Sequence, residues 1–390
     1  WVYDQGSQPQ KALEYYRQAA AMPCDLCFPN RLEDILILKA AQIANPSDGR
    51  AAYYLGNFWY AHFQSEEAIA CWEKAAGLDS TFATVQRNLG LAYFNKRNDH
   101  SKAQAYFEKA FALNPCDGRV LFELDQLYKR LYTAPVNRLA NLDRYPDLVA
   151  QRDDLTIERI TLLNLLGRSG EAYEALMGRN FHPWEGGEGK VTGQYVTSLV
   201  EMAKAELVAG NGAQAVELLT RAQTYPQNLG EGKLYGALEN NIFYYLGCAY
   251  ETLGKLDKAK AALVQASRGF SEPSSPRYYN DQPPDLIFYQ GLALLKLHRE
   301  KEAQAVFQKL VDYGTTHMSD EVGMDYFAVS LPDFLVFDVD LNERNRLHCH
   351  YLLGLGYLGL EDKASARGHF EAALALDASH SGASLHMRMI

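Results

Sequence analysis

The stretch that decides the fold runs from Ala83 to Pro115 and reads ATVQRNLGLAYFNKRNDHSKAQAYFEKAFALNP. Gly90 and Tyr93 stand three residues apart in its first half, and Ala103, Phe107 and Ala110 are spaced by four and three in its second. Both spacings gather side chains on one face of a helix, so each half predicts a helix and the two predict an antiparallel pair. The same order of small and large side chains returns at Gly56, Trp59, Ala68, Trp72 and Ala75, and again at Gly247, Tyr250, Ala259, Leu263 and Ala266. It recurs at Gly291, Ala303 and Phe307, and finally at Gly354, Tyr357, Ala366, Phe370 and Ala373. Recurrence at about 34 residues is the mark of stacked helical units, each packed mainly on its neighbours.

The chemistry of one unit follows from its side chains. A helix-interior Gly costs roughly 1 kcal/mol relative to Ala, so close approach of the second helix must offset it. The large residue three positions later (Trp59, Tyr93, Tyr250, Tyr357) fills the gap between units. The second helix answers with Ala, then an aromatic or Leu four residues on, then Ala three further. Pro46 and Pro115 stop helices between units.

These spacings resemble the tetratricopeptide repeat. The resemblance is clear at 49–80, 83–115, 240–267, 284–311 and 347–378, and degenerate at 10–46, 118–178 and 197–222. At 118–130, Asp125 stands where Gly is expected, while Leu121, Leu124 and Tyr128 keep the stripe. The implied fold class is all-α, a right-handed α-solenoid of tetratricopeptide-like helix pairs with four irregular inserted loops, and residues 1–390 read as one array. Ala12, Tyr16 and Ala19 repeat the second-helix spacing with no first helix before them, so the chain reads as the C-terminal part of a longer protein.

Bulk properties bound the partners. The chain has 390 residues, 47% hydrophobic and 12% aromatic, with 25 Tyr, more than helix pairs alone require. The net charge of −10 argues against nucleic acid or an anionic membrane as main partner. No apolar run reaches the length of a membrane-spanning helix. Cys71, Cys248 and Cys349 fall beside core positions, where free thiols behave as small hydrophobes; that usage suits a reducing compartment, and a cytoplasmic location is expected. Cys24-x2-Cys27 lacks a second ligand pair and reads more readily as two turn thiols than as half a zinc site. His348-Cys349-His350 lies on a helix, where adjacent residues diverge, so a shared metal is not expected. No cofactor is expected, and no nucleophile or phosphate-binding motif is present.

Four segments break the period: 181–190, 225–241, 273–284 and 317–341. Long irregular insertions in a compact array are uncommon and often functional. The first two share Pro-x3-Gly-Glu-Gly-Lys, at Pro183–Lys190 and Pro226–Lys233, which predicts two turns stacked on one edge with Glu188 over Glu231 and Lys190 over Lys233. The alternative is a pair of helix-entry turns whose glycines supply positive φ. The fourth segment mixes aromatics with Asp320, Glu321, Asp325, Asp333, Asp338 and Asp340, which suits either a site for a sugar or peptide amine or a loop covering a groove. The candidate binding residues are His182, Trp184, Glu185, Glu188, Lys190, Asn228, Glu231, Lys233, Glu239, Asn240, Tyr279, Asn280, Asp281, Asp325, Tyr326 and Asp333, with no catalytic residue and no metal ligand among them.

The loop motifs also resemble the C-terminal repeat region of large bacterial proteins in which a β-rich domain precedes the helices. The expected function is a non-catalytic scaffold whose inner groove binds a protein or peptide segment, or the preceding domain of the same polypeptide. The rival is an accessory region of a carbohydrate-active enzyme whose loops contribute to a sugar site. A third reading has the loops closing the groove on themselves.

Overall fold

The computed structural model describes residues 1–184, 186–275, 283–323 and 336–390. Among them every regular element is helical. In chain order these are α1 (Val2–Gln5), α2 (Pro9–Ala21), α3 (Leu32–Ala44), α4 (Gly49–Ala61), α5 (Ser65–Leu78), α6 (Ala83–Asn95) and α7 (His100–Leu113). There follow α8 (Gly118–Arg130), α9 (Pro135–Leu142), α10 (Pro146–Gln151), α11 (Asp153–Leu165), α12 (Ser169–Met177), α13 (Lys190–Val208) and α14 (Gly212–Ala222). The last are α15 (Asn240–Thr252), α16 (Leu256–Ala266), α17 (Pro284–Lys296), α18 (Glu300–His317), α19 (Leu341–Gly359), α20 (Lys363–Leu376) and α21 (Ser381–Met387). The all-α class is thus as the sequence pattern dictates. The expected absence of a first helix before α2 is corrected: the short α1 packs there.

The glycines show why consecutive helices pair. A Cβ at Gly56 would lie 2.4 Å from Trp72 Cδ1, one at Gly90 2.6 Å from Phe107, and one at Gly354 2.5 Å from Phe370. Gly247 meets Leu263 and Gly291 meets Phe307 in the same way. The large side chain of each of these second helices, a ring in all but Leu263, therefore lies on the bare backbone of its first helix. Ala68, Ala103, Ala303 and Ala366 are fully buried beside those rings. The large residues that follow the glycines vary more: Tyr93 is buried, whereas Trp59, Tyr250 and Tyr357 are half-buried.

The turn within each pair carries one residue with positive φ. It is Ser7, Phe63, Asn98, Tyr132, Gly167, Gly210, Gly254, His298 and Glu361 in succession. From Phe63 onward these residues are separated by 35, 34, 35, 43, 44, 44 and 63 positions. The excess over the basic period appears where the irregular segments begin, so the insertions lie between pairs and leave the pairs intact. Helix starts are capped by short acidic side chains: Asp48 accepts from the Arg50 and Ala51 amides, and Asp99, Asp340 and Asp362 cap α7, α19 and α20.

The chain divides into two compact bodies. The first comprises residues 1–127 with Val336–Asp338, and the second comprises the rest. In the first body, Phe337 is buried against Phe94 and Phe107, with ring centroids at 4.9 and 5.5 Å. Asn95 holds this piece from both sides, donating to the Val336 carbonyl at 2.8 Å and accepting from the Asp338 amide at 2.9 Å. The end of the fourth interruption is therefore a docked strap on α6 and α7. No helix among the described residues is long and apolar enough to cross a membrane.

Candidate functional site

Three places hold polar side chains in defined arrangements: the paired loops of the second body, the first helices of the first body, and the C-terminal segment of the second body.

The paired loops begin where α12 ends. Arg179 donates to Thr156 Oγ1 at 2.5 Å and to the Ala150 carbonyl at 3.1 Å, and pairs with the Asp153 carboxylate. Asp153 also accepts the His182 amide at 2.8 Å and lies 3.2 Å from His182 Nδ1. This clamp turns Phe181 into the interior, where its amide donates to the Asn228 carbonyl at 2.7 Å. Asn228 Nδ2 answers by donating to the carbonyls of Leu176 and Arg179, both at 2.9 Å. Gly230 fits only as glycine: its φ is +78°, and a Cβ would lie 2.5 Å from the Phe181 carbonyl oxygen. The Glu231 carboxylate then accepts the Gly189 amide at 3.0 and 3.2 Å and Thr192 Oγ1 at 3.3 Å. A carboxylate from the second copy of the motif thus caps the helix that follows the first copy.

The two copies come together, but their residues are not equivalent. Glu188 is exposed, whereas Glu231 is engaged on α13. Lys190 opens α13 and its charge helps hold Glu158 ionised. Lys233 instead donates to the Gln223 carbonyl at 3.0 Å and to Glu239 at 2.6 Å. The physical reason is local. The first copy runs straight into a helix, while the second is followed by residues 234–239 before α15 starts, so identical tetrapeptides meet different neighbours. Asn240 is 3% exposed and donates to the carbonyls of Ala266 and Arg268 at 2.8 and 2.7 Å, tying off α16.

Around this joint, Tyr225 packs edge-on against Tyr195 at 6.3 Å. Burial raises the Tyr225 phenol, and the Glu239 and Glu231 carboxylates push it further. Burial, then the neighbouring Tyr173, pushes Tyr195 up to about 12. Trp184 lies across Gly187, where a Cβ would be 2.1 Å from its ring. His182, with an 83% exposed side chain, faces outward like Glu188. Glu185, Tyr279, Asn280, Asp281, Asp325, Tyr326 and Asp333 lie outside the described residues. Sequence reasoning missed Asp153, Thr156 and Arg179, which organise the first loop; the signal was an Arg two residues beyond the end of α12.

In the first body, α4, α6 and α8 are successive first helices, and their polar side chains join in a row. Trp72 Nε1 donates to Asn57 Oδ1 at 3.1 Å, and Asn88 Nδ2 reaches the same oxygen at 3.4 Å. Arg87 bonds Asn88 Oδ1 at 3.2 Å and forks onto Glu123 with two 2.6 Å bonds. Arg119 joins at 3.0 Å from Glu123. The Glu123 side chain is 4% exposed, that of Arg87 16%, and that of Arg119 64%, so a buried carboxylate sits between a mostly buried and an exposed guanidinium. At its α4 end Arg50 lies over the Phe82 ring at 4.1 Å and donates to Cys24 Sγ at 2.7 Å. The Cys24 and Cys27 thiols are free. Sequence reasoning missed this row because Asn57, Arg87 and Glu123 sit beside the core stripe and belong to no motif.

In the second body, residues 377–390 pack against side chains of α11, α17 and α19. His386 of α21 meets the rings of Phe288, Tyr289 and Tyr351 at 5.6, 5.8 and 5.8 Å. Its Nδ1 is 2.8 Å from the Gly382 carbonyl and 3.2 Å from the Tyr351 hydroxyl, while Nε2 is buried without a hydrogen-bond partner. Arg138, 1% exposed, donates to Ser379 Oγ at 2.8 Å and pairs with Glu158 at 3.0 Å. Burial pushes the Glu158 carboxyl up, but Lys129, Arg138 and Lys190 outweigh it and hold Glu158 below the usual range.

The tetratricopeptide repeat model matches residues 86–115 and 241–268, so the chain carries tetratricopeptide repeats in both bodies. Among solved structures it is similar to YrrB, described as a TPR protein with an unusual peptide-binding site. That match has 22% identity over 47% of this chain and 90% of that one, with a TM-score of 0.36. It is similar also to a tetratricopeptide repeat protein from Parabacteroides merdae, at 14% identity over 73% and 99% of the two chains, TM-score 0.34. A third likeness, at 11% identity, is to Naa15/Naa10 bound to HypK-THB, covering 95% of this chain and 64% of that one with a TM-score of 0.42.

Proposed function

We propose that the chain is a non-catalytic protein-interaction module that holds an acidic polypeptide segment along the first helices α4, α6 and α8. The observation that carries this reading is the row from Asn57 to Arg119. Amide and guanidinium groups stand side by side on three successive first helices, which is how a helical array presents one face to an extended ligand. Arg50, Arg87 and Arg119 outnumber Glu123 there, so the row is locally positive in a chain of net charge −10. The segment belongs either to another protein or to a preceding domain of the same polypeptide.

The carbohydrate reading requires carboxylates beside an open aromatic face. In the described loops Glu231 and Glu239 are bonded to Gly189 and Lys233, and Trp184 lies on Gly187, so the protein-segment reading is preferred.

The test is peptide display on the immobilised chain, followed by fluorescence anisotropy with the selected peptides. Enrichment of acidic sequences, and at least tenfold weaker binding to the Asn57→Ala/Asn88→Ala/Arg119→Glu chain, is the expected result. Selected peptides that bind this variant as tightly as the parent, with circular dichroism unchanged, would overturn the proposal.

A further inference from the structure

We infer that Cys24 and Cys27 form a dithiol–disulfide site that reacts with small disulfides of the glutathione class. The site lies in the first body, in the link between α2 and α3. It stands apart from the Asn57–Arg119 row, since its chemistry needs no acidic ligand.

The two cysteines are three positions apart, and the chain folds back between them. The Cys27 amide donates to the Cys24 carbonyl at 3.4 Å, with Leu26 in the left-handed region at φ +59°. A turn closed in this way holds its first and fourth Cα atoms within about 7 Å, close to the span that a disulfide bridges. Both thiols are free, Cys24 half-buried and Cys27 exposed.

Each sulfur has its own donor, and both donors come from one face of α4. Arg50 donates to Cys24 Sγ at 2.7 Å, and the Tyr54 hydroxyl bonds the Cys27 sulfur. Residues 50 and 54 are four apart on the helix and so project side by side. Arg50 is itself fixed over the Phe82 ring at 4.1 Å. Burial first, then the charge and the hydrogen bond of Cys27, pushes the Tyr54 phenol up. The helical cysteines differ: burial pushes the thiols of Cys71, Cys248 and Cys349 up, as in packing residues that stay inert.

The exposed Cys27, as thiolate, attacks one sulfur of the small disulfide, forming a mixed disulfide and expelling one thiolate. Cys24, as thiolate, then attacks Cys27 Sγ, forming the Cys24–Cys27 bond and expelling the second thiolate. Two electrons pass from the protein dithiol to the small disulfide, and the two protons that the protein thiols give up go to the two expelled thiolates. Closing the S–S bond to about 2.05 Å draws the sulfurs toward each other and off their donors. Arg50 and Tyr54 therefore stabilise the dithiol over the disulfide, which keeps the disulfide reducible.

The test equilibrates the full chain in mixtures of reduced and oxidised glutathione, quenches with acid and alkylating agent, and maps the cysteines by mass spectrometry. The expected product is a peptide carrying both Cys24 and Cys27 and lacking two hydrogens. Arg50→Gln and Tyr54→Phe, each with unchanged helical circular dichroism, are expected to raise the equilibrium constant for this disulfide about threefold or more, as loss of one hydrogen bond to the dithiol implies. Cys24→Ser is expected to stop at glutathione held on Cys27. A parent chain that carries glutathione on Cys27 at every ratio and never closes the Cys24–Cys27 bond would overturn the proposal. So would a disulfide whose equilibrium constant is the same in the parent and in both donor variants, because the pair would then be two turn thiols that α4 does not tune.

Discussion

Replacing Gly56 with Ala puts a methyl carbon 2.4 Å from Trp72 Cδ1, 2.5 Å from Nε1 and 3.0 Å from Cγ. All three atoms belong to one side chain, which makes the pair suitable for a double-mutant cycle. In the parent, Ala gains about 1 kcal/mol of helix propensity over Gly. Overpacking against a 3% exposed indole costs about 1–3 kcal/mol. The net effect is a loss of up to about 2 kcal/mol. Trp72→Ala alone costs about 3–5 kcal/mol, because it empties the space and removes a donor from the Tyr53 carbonyl and Asn57 Oδ1. In that background the new methyl enters the vacated space, and Gly56→Ala becomes stabilising by about 1 kcal/mol. The sign of the glycine substitution thus reverses, with a coupling of about 1–3 kcal/mol. Urea titrations of the four chains, followed by circular dichroism at 222 nm, measure it. If Gly56→Ala has the same effect in both backgrounds, within about 0.5 kcal/mol, the glycine is not there to admit the indole.

Other positions give independent checks. Phe63 holds a left-handed turn at φ +59° while 90% exposed, so Phe63→Gly should raise stability by up to about 1 kcal/mol, and a lower urea midpoint would contradict the turn assignment. Gly230→Ala should cost about 1–3 kcal/mol more than Gly210→Ala; both have φ near +78°, but only Gly230 faces a backbone oxygen. Glu231→Ala should cost about 1 kcal/mol and speed exchange of the first-turn amides of α13, as loss of a cap does. Burial above all, with Lys204 and His380 adding and the Gly382 carbonyl opposing, pushes His386 down to about 4. An opened α21 takes up a proton between pH 6.5 and 4 that the seated one refuses. Its seat is therefore fully stable above pH 6.5 and loses up to about 3 kcal/mol as pH falls through that window. Asp285, pushed up to about 6 by burial, works in the opposite sense on the whole body, because its folded form binds the extra proton. Exchange of the 381–387 amides is accordingly the readout, and opening free energies that do not change with pH would exclude a buried neutral His386.

Much of the fold was legible because the pairing contact is local. Gly90 and Phe107 are close in sequence, and their spacing states both the helix period and the approach of the second helix. The loop motifs were legible as neighbours but not as chemistry. Two copies of Gly-Glu-Gly-Lys suggested two similar turns, yet Glu231 caps α13 while Glu188 stays exposed, because what a carboxylate meets depends on the next element. The Asn57–Arg119 row was invisible to motif reading, since it is assembled one or two residues at a time from three helices. The C-terminal segment was read as nothing at all: a helix of seven residues is too short to show a stripe.

By itself, the sequence determined that this chain is an all-α array, where its pairs lie and where the period fails. Those properties depend on side-chain volume at short range, which spacing encodes directly. Only the tertiary structure decided which polar groups are satisfied within the chain, which first helices keep a charged face, and that residues 377–390 pack on α11, α17 and α19. Such contacts join positions on different repeats, from 31 to 241 residues apart, and the repeating pattern carries no information about which of its equivalent surfaces the chain will turn back to cover.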